Sequence, residues 1–271
     1  MQLSKYRAFS ALLIAGLAAS TIGISPAIAT DPSPTPSPSE TATTSDANKI
    51  QIAAAKTSLR SRGCIVKAKG NCSRKNLSNL DLTGLDLTGM NFSGANLSNT
   101  TLNDATLDKA IFTGANLSGT DITNSSAVGA NFTGANLRKA DLTDSDFMKA
   151  ILTKVKASRA ILRNTDLTGS SGSGADFTYA DITDTIFEQA NLKSADFSHA
   201  TGTDPRFADA NMVGAKFVNS QFTSPDFSGT NLTNANFMRS QIGLADLDEA
   251  NYCGATMYDG FAADNSTCKN S

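Results

Sequence analysis

The chain has 271 residues and a formal net charge of −2 at pH 7, with 23 Lys and Arg against 25 Asp and Glu. A charge this small gives neither the strong positive field of a nucleic-acid-binding protein nor the dense negative field of a DNA mimic. We therefore expect a partner other than nucleic acid.

The first 29 residues have the three parts of a secretory signal peptide. Lys5 and Arg7 form a basic start, an apolar stretch runs from Ala8 to Ile24, and residues 27–29 read Ala-Ile-Ala. No second apolar run of spanning length follows, so we expect cleavage after Ala29 and no remaining membrane anchor. Cleavage removes two positive charges and leaves a formal charge of −4.

Two short segments precede the main body of the chain. Residues 30–46 hold four of the seven prolines and almost no apolar side chains, which predicts a disordered linker rich in Pro, Ser and Thr. Asp46 to Arg60 is predicted to form an amphipathic helix with Ile50, Ala53, Ala54 and Leu59 on its inner face. We assign residues 47–74 to a capping segment that also contains Cys64 and Cys72.

A period of five residues runs without interruption from Leu77 to Met257. The 37 positions hold fifteen Leu, twelve Phe, three Ile, two Met and one Tyr, broken only by two Ala and two Gly. Of the 36 residues two positions earlier, thirty are Ala, Ser or Thr. Helices repeat at about 3.6 residues and strands at about 2, so neither explains the pattern. A chain that turns a corner every five residues explains the period.

The aromatic residues indicate four corners per coil. Phe177, Phe197, Phe217 and Phe237 are twenty residues apart, and Pro205 and Pro225 share one offset. Like residues on successive coils form ladders in solenoids. We expect the segment at 170–174 to be the softest point, because Gly172 leaves the inner column without a filler.

The repeats, such as Ala95-Asn96-Leu97 and Ala115-Asn116-Leu117, resemble the pentapeptide-repeat family, whose motif is A-(N/D)-L-x-x. The match covers residues 75–257 and leaves residues 258–271 as a C-terminal tail. The resemblance implies an all-β solenoid, a right-handed quadrilateral β-helix of about nine coils. The helix at its N-terminal end is expected to cap the first coil.

Four cysteines lie at the two ends of this predicted rod: Cys64, Cys72, Cys253 and Cys268. They allow three pairings, but a disulfide needs Cα atoms within about 7 Å. We therefore expect Cys64–Cys72 and Cys253–Cys268, in an oxidising compartment. Zinc is the alternative, but two thiolates at each end supply too few ligands.

The sequence contains no catalytic or cofactor-binding motif. The only histidine, His199, occupies an outer position of a repeat, so no catalytic pair is suggested. Carboxylates stack one coil apart, as at Asp121 and Asp141 or Asp146 and Asp166. They repel each other unless a cation or hydrogen bonds intervene, and we expect no cation. We predict no enzyme activity, no metal and no cofactor.

Two outer clusters are candidate interaction surfaces. Arg138, Lys139, Lys156 and Arg159 lie on one side of neighbouring coils and could bind an acidic partner or a polysaccharide, or could be an ordinary solvated face. Val218 and Met238 lie one coil apart near the C-terminal end. They could contact a partner or a second copy in a homodimer, or the tail could cover them.

The sequence leaves three functions to compare. The first is a non-catalytic structural or protein-interaction module that binds an unknown protein or envelope component. The second, implied by family members that mimic DNA and act on gyrase, is disfavoured by the export signal and the mild charge. The third, a cell-envelope enzyme, has no supporting motif. The signal and the flanking cysteines are similar to those of exported cyanobacterial members of the family, which implies the periplasm, the thylakoid lumen or the medium.

Overall fold

The computed structural model describes residues 44–67, 69–260 and 268. The predicted signal peptide at 1–29, most of the predicted linker and most of the C-terminal tail lie outside the described residues. One helix, α1 (Thr44–Ser61), precedes the repeats, and it begins inside the segment predicted as linker. Within the described residues no helix is long and apolar enough to cross a membrane.

Helix α1 packs on the solenoid through a different face from the one predicted. Ala55 and Leu59 are buried and Ile52 is partly buried, whereas Ile50 is 66% exposed. The prediction that Ile50, Ala53 and Ala54 face inward was therefore wrong. A stripe spaced at three and four residues, from Ile52 through Leu59, is the one that meets the first coil.

The helix ends in a Schellman motif that leads straight into the first disulfide. Gly63, at a φ of 77°, follows the last turn, and the Cys64 N–H donates to the Leu59 carbonyl oxygen at 2.9 Å. Cys64 is joined to Cys72, with their Cα atoms 5.1 Å apart. At the other end Cys253 is joined to Cys268, with Cα atoms 5.3 Å apart.

The repeats form the right-handed quadrilateral β-helix that the sequence predicted. On three sides single parallel bridges join residues twenty apart, from Asn71 with Asn91 to Asn236 with Thr256. On part of the fourth side the bridges widen into strands β1 (Thr201–Thr203), β2 (Gln221–Thr223) and β3 (Gln241–Gly243), parallel and in that order. The solenoid begins one repeat before residue 75, because Cys72 already occupies the inner position and is fully buried.

A proline at the corner explains the length of β1 and β2, whereas β3 is followed by Ala245 and pairs with β2. In most repeats the N–H of the small residue closes a turn, as when Ala115 donates to the Phe112 carbonyl oxygen at 2.9 Å. Pro205 and Pro225 have no N–H and cannot close that turn. The chain before them therefore stays extended, and the side becomes a short flat sheet.

Stacked phenylalanine rings fill the C-terminal half of the core. Phe197 stacks on Phe217 with ring centroids 5.4 Å apart, and Phe207 stacks on Phe227 at 5.0 Å. Rings of the two columns meet edge to face, as at Phe197 and Phe207 with an interplanar angle of 81°. Both geometries are the favourable ones for aromatic pairs.

The space beside each of the two glycines in the inner column, Gly172 and Gly202, is filled in a different way. The gap that was expected at Gly172 does not exist. A Cβ at Gly172 would lie 2.9 Å from the tip of Leu192 and in ordinary contact with Ala175 and Leu152, at 3.8 and 3.9 Å. A Cβ at Gly202 would meet the backbone carbonyl of Ile182, at 3.1 Å. A side-chain tip can rotate away, but a backbone pinned between two coils cannot.

We predict that Gly202→Ala lowers the free energy of unfolding by about 1–3 kcal/mol, as overpacking against rigid atoms does. Gly172→Ala should change it by less than about 1 kcal/mol, because the loss of chain entropy in the unfolded state offsets the movement of Leu192. Urea unfolding of both variants measures this. Equal losses would show that the backbone of Ile182 yields as easily as a side chain.

A buried hydroxyl marks a weak point in the same coil as Gly172. Ser170 is buried, and its Oγ has no hydrogen-bond partner among the described residues. At the equivalent position five repeats earlier, the buried Ser145 Oγ donates to the Ile122 carbonyl oxygen at 2.6 Å. Ser145 also accepts the N–H of Ser125 at 3.1 Å.

Replacing these two serines should therefore have opposite effects. Ser170→Ala removes an unsatisfied buried group and should stabilise the protein by up to about 1 kcal/mol. Ser145→Ala leaves a buried carbonyl and a buried N–H without partners and should cost about 1–3 kcal/mol. Thermal unfolding of the pair is the measurement, and a loss in both variants would contradict the first expectation.

Two carboxylates on different sides of the rod, Asp146 and Asp181, differ in their electrostatics. Burial raises the pKa of Asp146, and the nearby Asp166 and Asp108 raise it further, against a lowering by the Met148 N–H. Burial also acts on Asp181, but hydrogen bonds from Arg163 and Thr183 outweigh it and lower the pKa of that carboxyl. The ionised form is thus disfavoured at Asp146 and favoured at Asp181.

Asp146→Asn should raise the Tm at pH 7 by about 1–2 °C, because the folded state disfavours the charge that the variant lacks. This gain should vanish below the ordinary aspartate pKa of about 3.9, where Asp146 is protonated in both states. Asp181→Asn is the matched control and should lower the Tm at pH 7. Calorimetry between pH 3 and 7 tests both signs.

Candidate interaction surface

The polar side chains of the described residues assemble into surfaces rather than into an enclosed site. Among them no three His, Cys, Asp or Glu side chains are grouped so that they could hold a metal ion. His199 lies on the outside of the rod with its ring stacked on Tyr179. The outer faces of the rod are therefore the candidate sites.

One side of the rod, here called the basic face, collects the cationic residues that the sequence singled out. Lys156 lies between Asn136 and Asp176 in a ladder of parallel bridges, so Arg138 and Lys139 are one coil from Lys156 and Arg159. The inter-coil hydrogen bonds fix this placement. The basic face consists of six residues: Arg138, Lys139, Lys156, Arg159, Tyr179 and His199.

Four of these residues form a column along one corner, with one member in each successive coil. Lys139, Arg159, Tyr179 and His199 all have a positive φ, between 58° and 62°. The rings of Tyr179 and His199 are parallel within 3°, with centroids 4.5 Å apart. The Arg159 Cζ lies 5.4 Å from the Tyr179 centroid, which completes a stack of three planar groups.

This stack was not predicted from the sequence. His199 was placed only at an outer position of a repeat, and Tyr179 was not singled out. The available signal was the twenty-residue spacing of Arg159, Tyr179 and His199, which is the same spacing that identified the phenylalanine ladders.

The basic face keeps a positive charge that its own carboxylates do not neutralise. Arg138 pairs with Asp176 at 3.8 Å, and its Nε donates to the Ser158 Oγ at 3.2 Å. No described carboxylate lies within ion-pair distance of Lys139, Lys156 or Arg159. Three cations therefore remain available on this face.

The adjacent side of the rod shows the opposite arrangement. The Arg163 Nε donates to Asp181 at 2.7 Å, and a second guanidinium nitrogen lies 2.6 Å from the same oxygen. This pairing holds the pKa of Arg163 above its ordinary value. Arg163 is thus occupied within its own face, and it does not extend the basic face.

The apolar outer residues lie on the same side of the rod, nearer its C-terminal end. Val218 is half-buried, Met238 is 38% exposed, and Tyr258 follows one coil later. Leu244, at a neighbouring corner, is 85% exposed. Most of the tail that was considered as a cover for them lies outside the described residues.

A shallow groove of about 320 Å³ lies over the flat sheet formed by β1–β3. Its rim is polar, with Thr201, Thr203, Gln221 and Thr223 exposed to solvent. The groove is separate from the basic face, since it runs along the side that contains Asp181. It brings hydroxyls and amides together but no pair of catalytic groups.

Comparison with proteins of known structure places this architecture among known relatives. HetL from the cyanobacterium Nostoc sp. strain PCC 7120, a pentapeptide repeat protein involved in heterocyst differentiation regulation, is 26% identical with a TM-score of 0.54, over 69% of this chain and 91% of that one. QnrB1, a plasmid-mediated fluoroquinolone resistance protein, is 25% identical with a TM-score of 0.54, over 68% and 91%.

At the level of sequence, no curated protein matches the chain significantly. The family model for pentapeptide repeats matches eight copies, which together extend from residue 76 to residue 251. This span agrees with the bridges of the observed solenoid. The chain therefore belongs to the pentapeptide-repeat family.

Proposed function

We propose that the protein is an exported, non-catalytic interaction module, a stiff rod whose basic face binds a partner outside the cytoplasm. The observation that carries the proposal is the set of three cations without carboxylate partners, Lys139, Lys156 and Arg159, held in register on one face. Surfaces of one charge sign on a rigid scaffold favour fast and selective association with the opposite sign.

The rod is suited to present such a surface without rearranging. Successive coils are joined by backbone hydrogen bonds, such as Leu137 N–H to the Lys156 carbonyl oxygen at 2.7 Å. The side chains of one face are therefore held at the spacing of the coils before a partner arrives. A preorganised surface loses less conformational entropy on binding than a mobile one.

Export is supported by the two disulfides and by the sequence of residues 1–29. Disulfides persist in oxidising compartments and are rare in the cytosol. Each one closes an end of the rod, where an open solenoid exposes apolar surface and unpaired strand edges. Their presence at both ends is consistent with a rod built for conditions outside the cytoplasm.

The apolar pair Val218 and Met238 supports a smaller, second element of the proposal. These residues continue the outer column of Arg138 toward the C-terminal end. A second copy or a partner with an apolar rim fits this end, next to a face that attracts acidic groups.

Production of the full chain in a bacterium with a periplasm tests export. We expect the protein in the periplasmic fraction, with a mass that begins at Thr30 and with both disulfides intact. Leu13→Arg, which breaks the apolar stretch, is the matched control and should keep the chain in the cytoplasm with reduced cysteines. Cytoplasmic wild-type protein that still begins at Met1 would refute the export part of the proposal.

The alternative directed at DNA gyrase makes a separate prediction. A protein that occupies the DNA site of gyrase inhibits supercoiling in proportion to its concentration. We expect the purified mature chain to have no effect in a supercoiling assay, because its basic face repels the positive surface that holds DNA. Inhibition by the mature chain would replace the interaction module with this alternative.

A further inference from the structure

We propose that the basic face binds a linear acidic polysaccharide, a chain of sugars that carry carboxylate or sulfate groups, lying along the rod axis. The inference rests on the proposed function and names the class of partner. Charge complementarity requires an anion, because Lys139, Lys156 and Arg159 have no described carboxylate partners.

The length of the column favours a polymer over a small anion. Lys139, Arg159, Tyr179 and His199 come from four successive coils, and coils repeat at about 4.8 Å. The donors are therefore spread along the axis instead of converging on one point. A small anion would contact one or two of them, whereas an extended polyanion can contact each in turn.

The stack of planar groups presents its edges to a ligand. Arg159 and His199 contribute from the coils on either side of Tyr179, so they cover its two ring faces. Tyr179 is nevertheless 53% exposed, which leaves its ring edge and hydroxyl open to solvent. Guanidinium N–H groups, a phenol O–H and imidazole nitrogens then form a row of hydrogen-bonding groups that suits hydroxyls and carboxylates.

The covered ring faces argue against single-stranded nucleic acid. Proteins that bind it stack successive bases on free aromatic faces next to a positive groove. Here the two faces of Tyr179 are occupied by Arg159 and His199. The basic face thus offers charge without the stacking platform.

The backbone of the face argues against an acidic peptide. Extended peptides usually bind by adding a strand to an open sheet edge. On this face the backbone groups already bond between coils, as with Asn136 N–H to Ala115 and Leu137 N–H to Lys156. Side chains on one side of an extended peptide also repeat at about 6.6 Å, which does not match the coil spacing.

The test measures binding of the mature protein to four polymers by calorimetry at low and high salt. Polygalacturonate and dextran sulfate carry carboxylate and sulfate respectively, and methyl-esterified polygalacturonate and plain dextran are their uncharged counterparts. We expect at least one charged polymer to bind and both uncharged ones to fail. The charged polymer that binds more tightly identifies the anionic group, and binding should weaken at high salt.

The double variant Lys139→Gln/Lys156→Gln should bind roughly three- to tenfold more weakly, the loss expected of two exposed charges. Tyr179→Phe keeps the stack and removes the hydroxyl, so it separates the role of the phenol from that of the ring. Lys109→Gln/Lys193→Gln removes two lysines from other sides of the rod and is the matched control. It should bind like the wild type.

Two further arms separate this inference from the proposed function. In one outcome, poly-glutamate or oligothymidylate binds tightly, the Lys139/Lys156 variant loses that binding, and neither acidic polysaccharide binds. That outcome would overturn the polysaccharide as the partner and would leave the basic face as an interaction site. No binding of any polyanion, or an equal loss in the control variant, would overturn the basic face itself.

Discussion

The hydrogen bonds between successive coils are the constraint on which the rest of the structure depends. The N–H of a large inner residue donates to the carbonyl of the residue nineteen positions later, as from Leu97 to Asn116, and the N–H before it donates twenty-one positions back, as from Asn96 to Lys75. An inserted residue would shift every later side chain by one position in the repeat, and the large inner residues would leave the core. The five-residue frame is therefore uninterrupted because one slip would disrupt the core of a whole coil.

The same constraint determines what could be predicted from the sequence. A fixed offset of twenty turns a one-dimensional spacing into a contact, so Phe177 and Phe197 could be placed together and are found stacked at 5.0 Å. The disulfide pairings also followed, because two cysteine pairs at opposite ends of a rod cannot exchange partners. Contacts inside the periodic region were predictable wherever the spacing was applied.

What escaped prediction depends on features without a period. Helix α1 has several apolar residues, and only its docking against the first coil decides that Ile52 and not Ile50 faces inward. The filling of the space at Gly172 depends on the rotamer of Leu192, which spacing does not specify. The stack of Arg159, Tyr179 and His199 was missed for another reason: the twenty-residue offset was applied from Lys139 to Arg159 but was not continued to Tyr179 and His199.

The ladders that stabilise the core also set the electrostatics of the surface. Identical or like-charged side chains are placed about one strand spacing apart, a distance at which apolar groups attract and like charges repel. At Asp146 burial raises the pKa of the carboxyl, and repulsion from Asp166 adds to that effect. On the basic face the backbone places Lys139 and Arg159 at equivalent corners of neighbouring coils.

A globular protein can relieve such repulsion by rearranging side chains or by interspersing opposite charges, and this rod does so where Arg163 pairs with Asp181. On the basic face no described carboxylate reaches Lys139 or Arg159. An anion bound there would supply the opposite charge that these two cations lack. Regular stacking thus provides both the stability of the rod and the attraction of one of its faces for a polyanion.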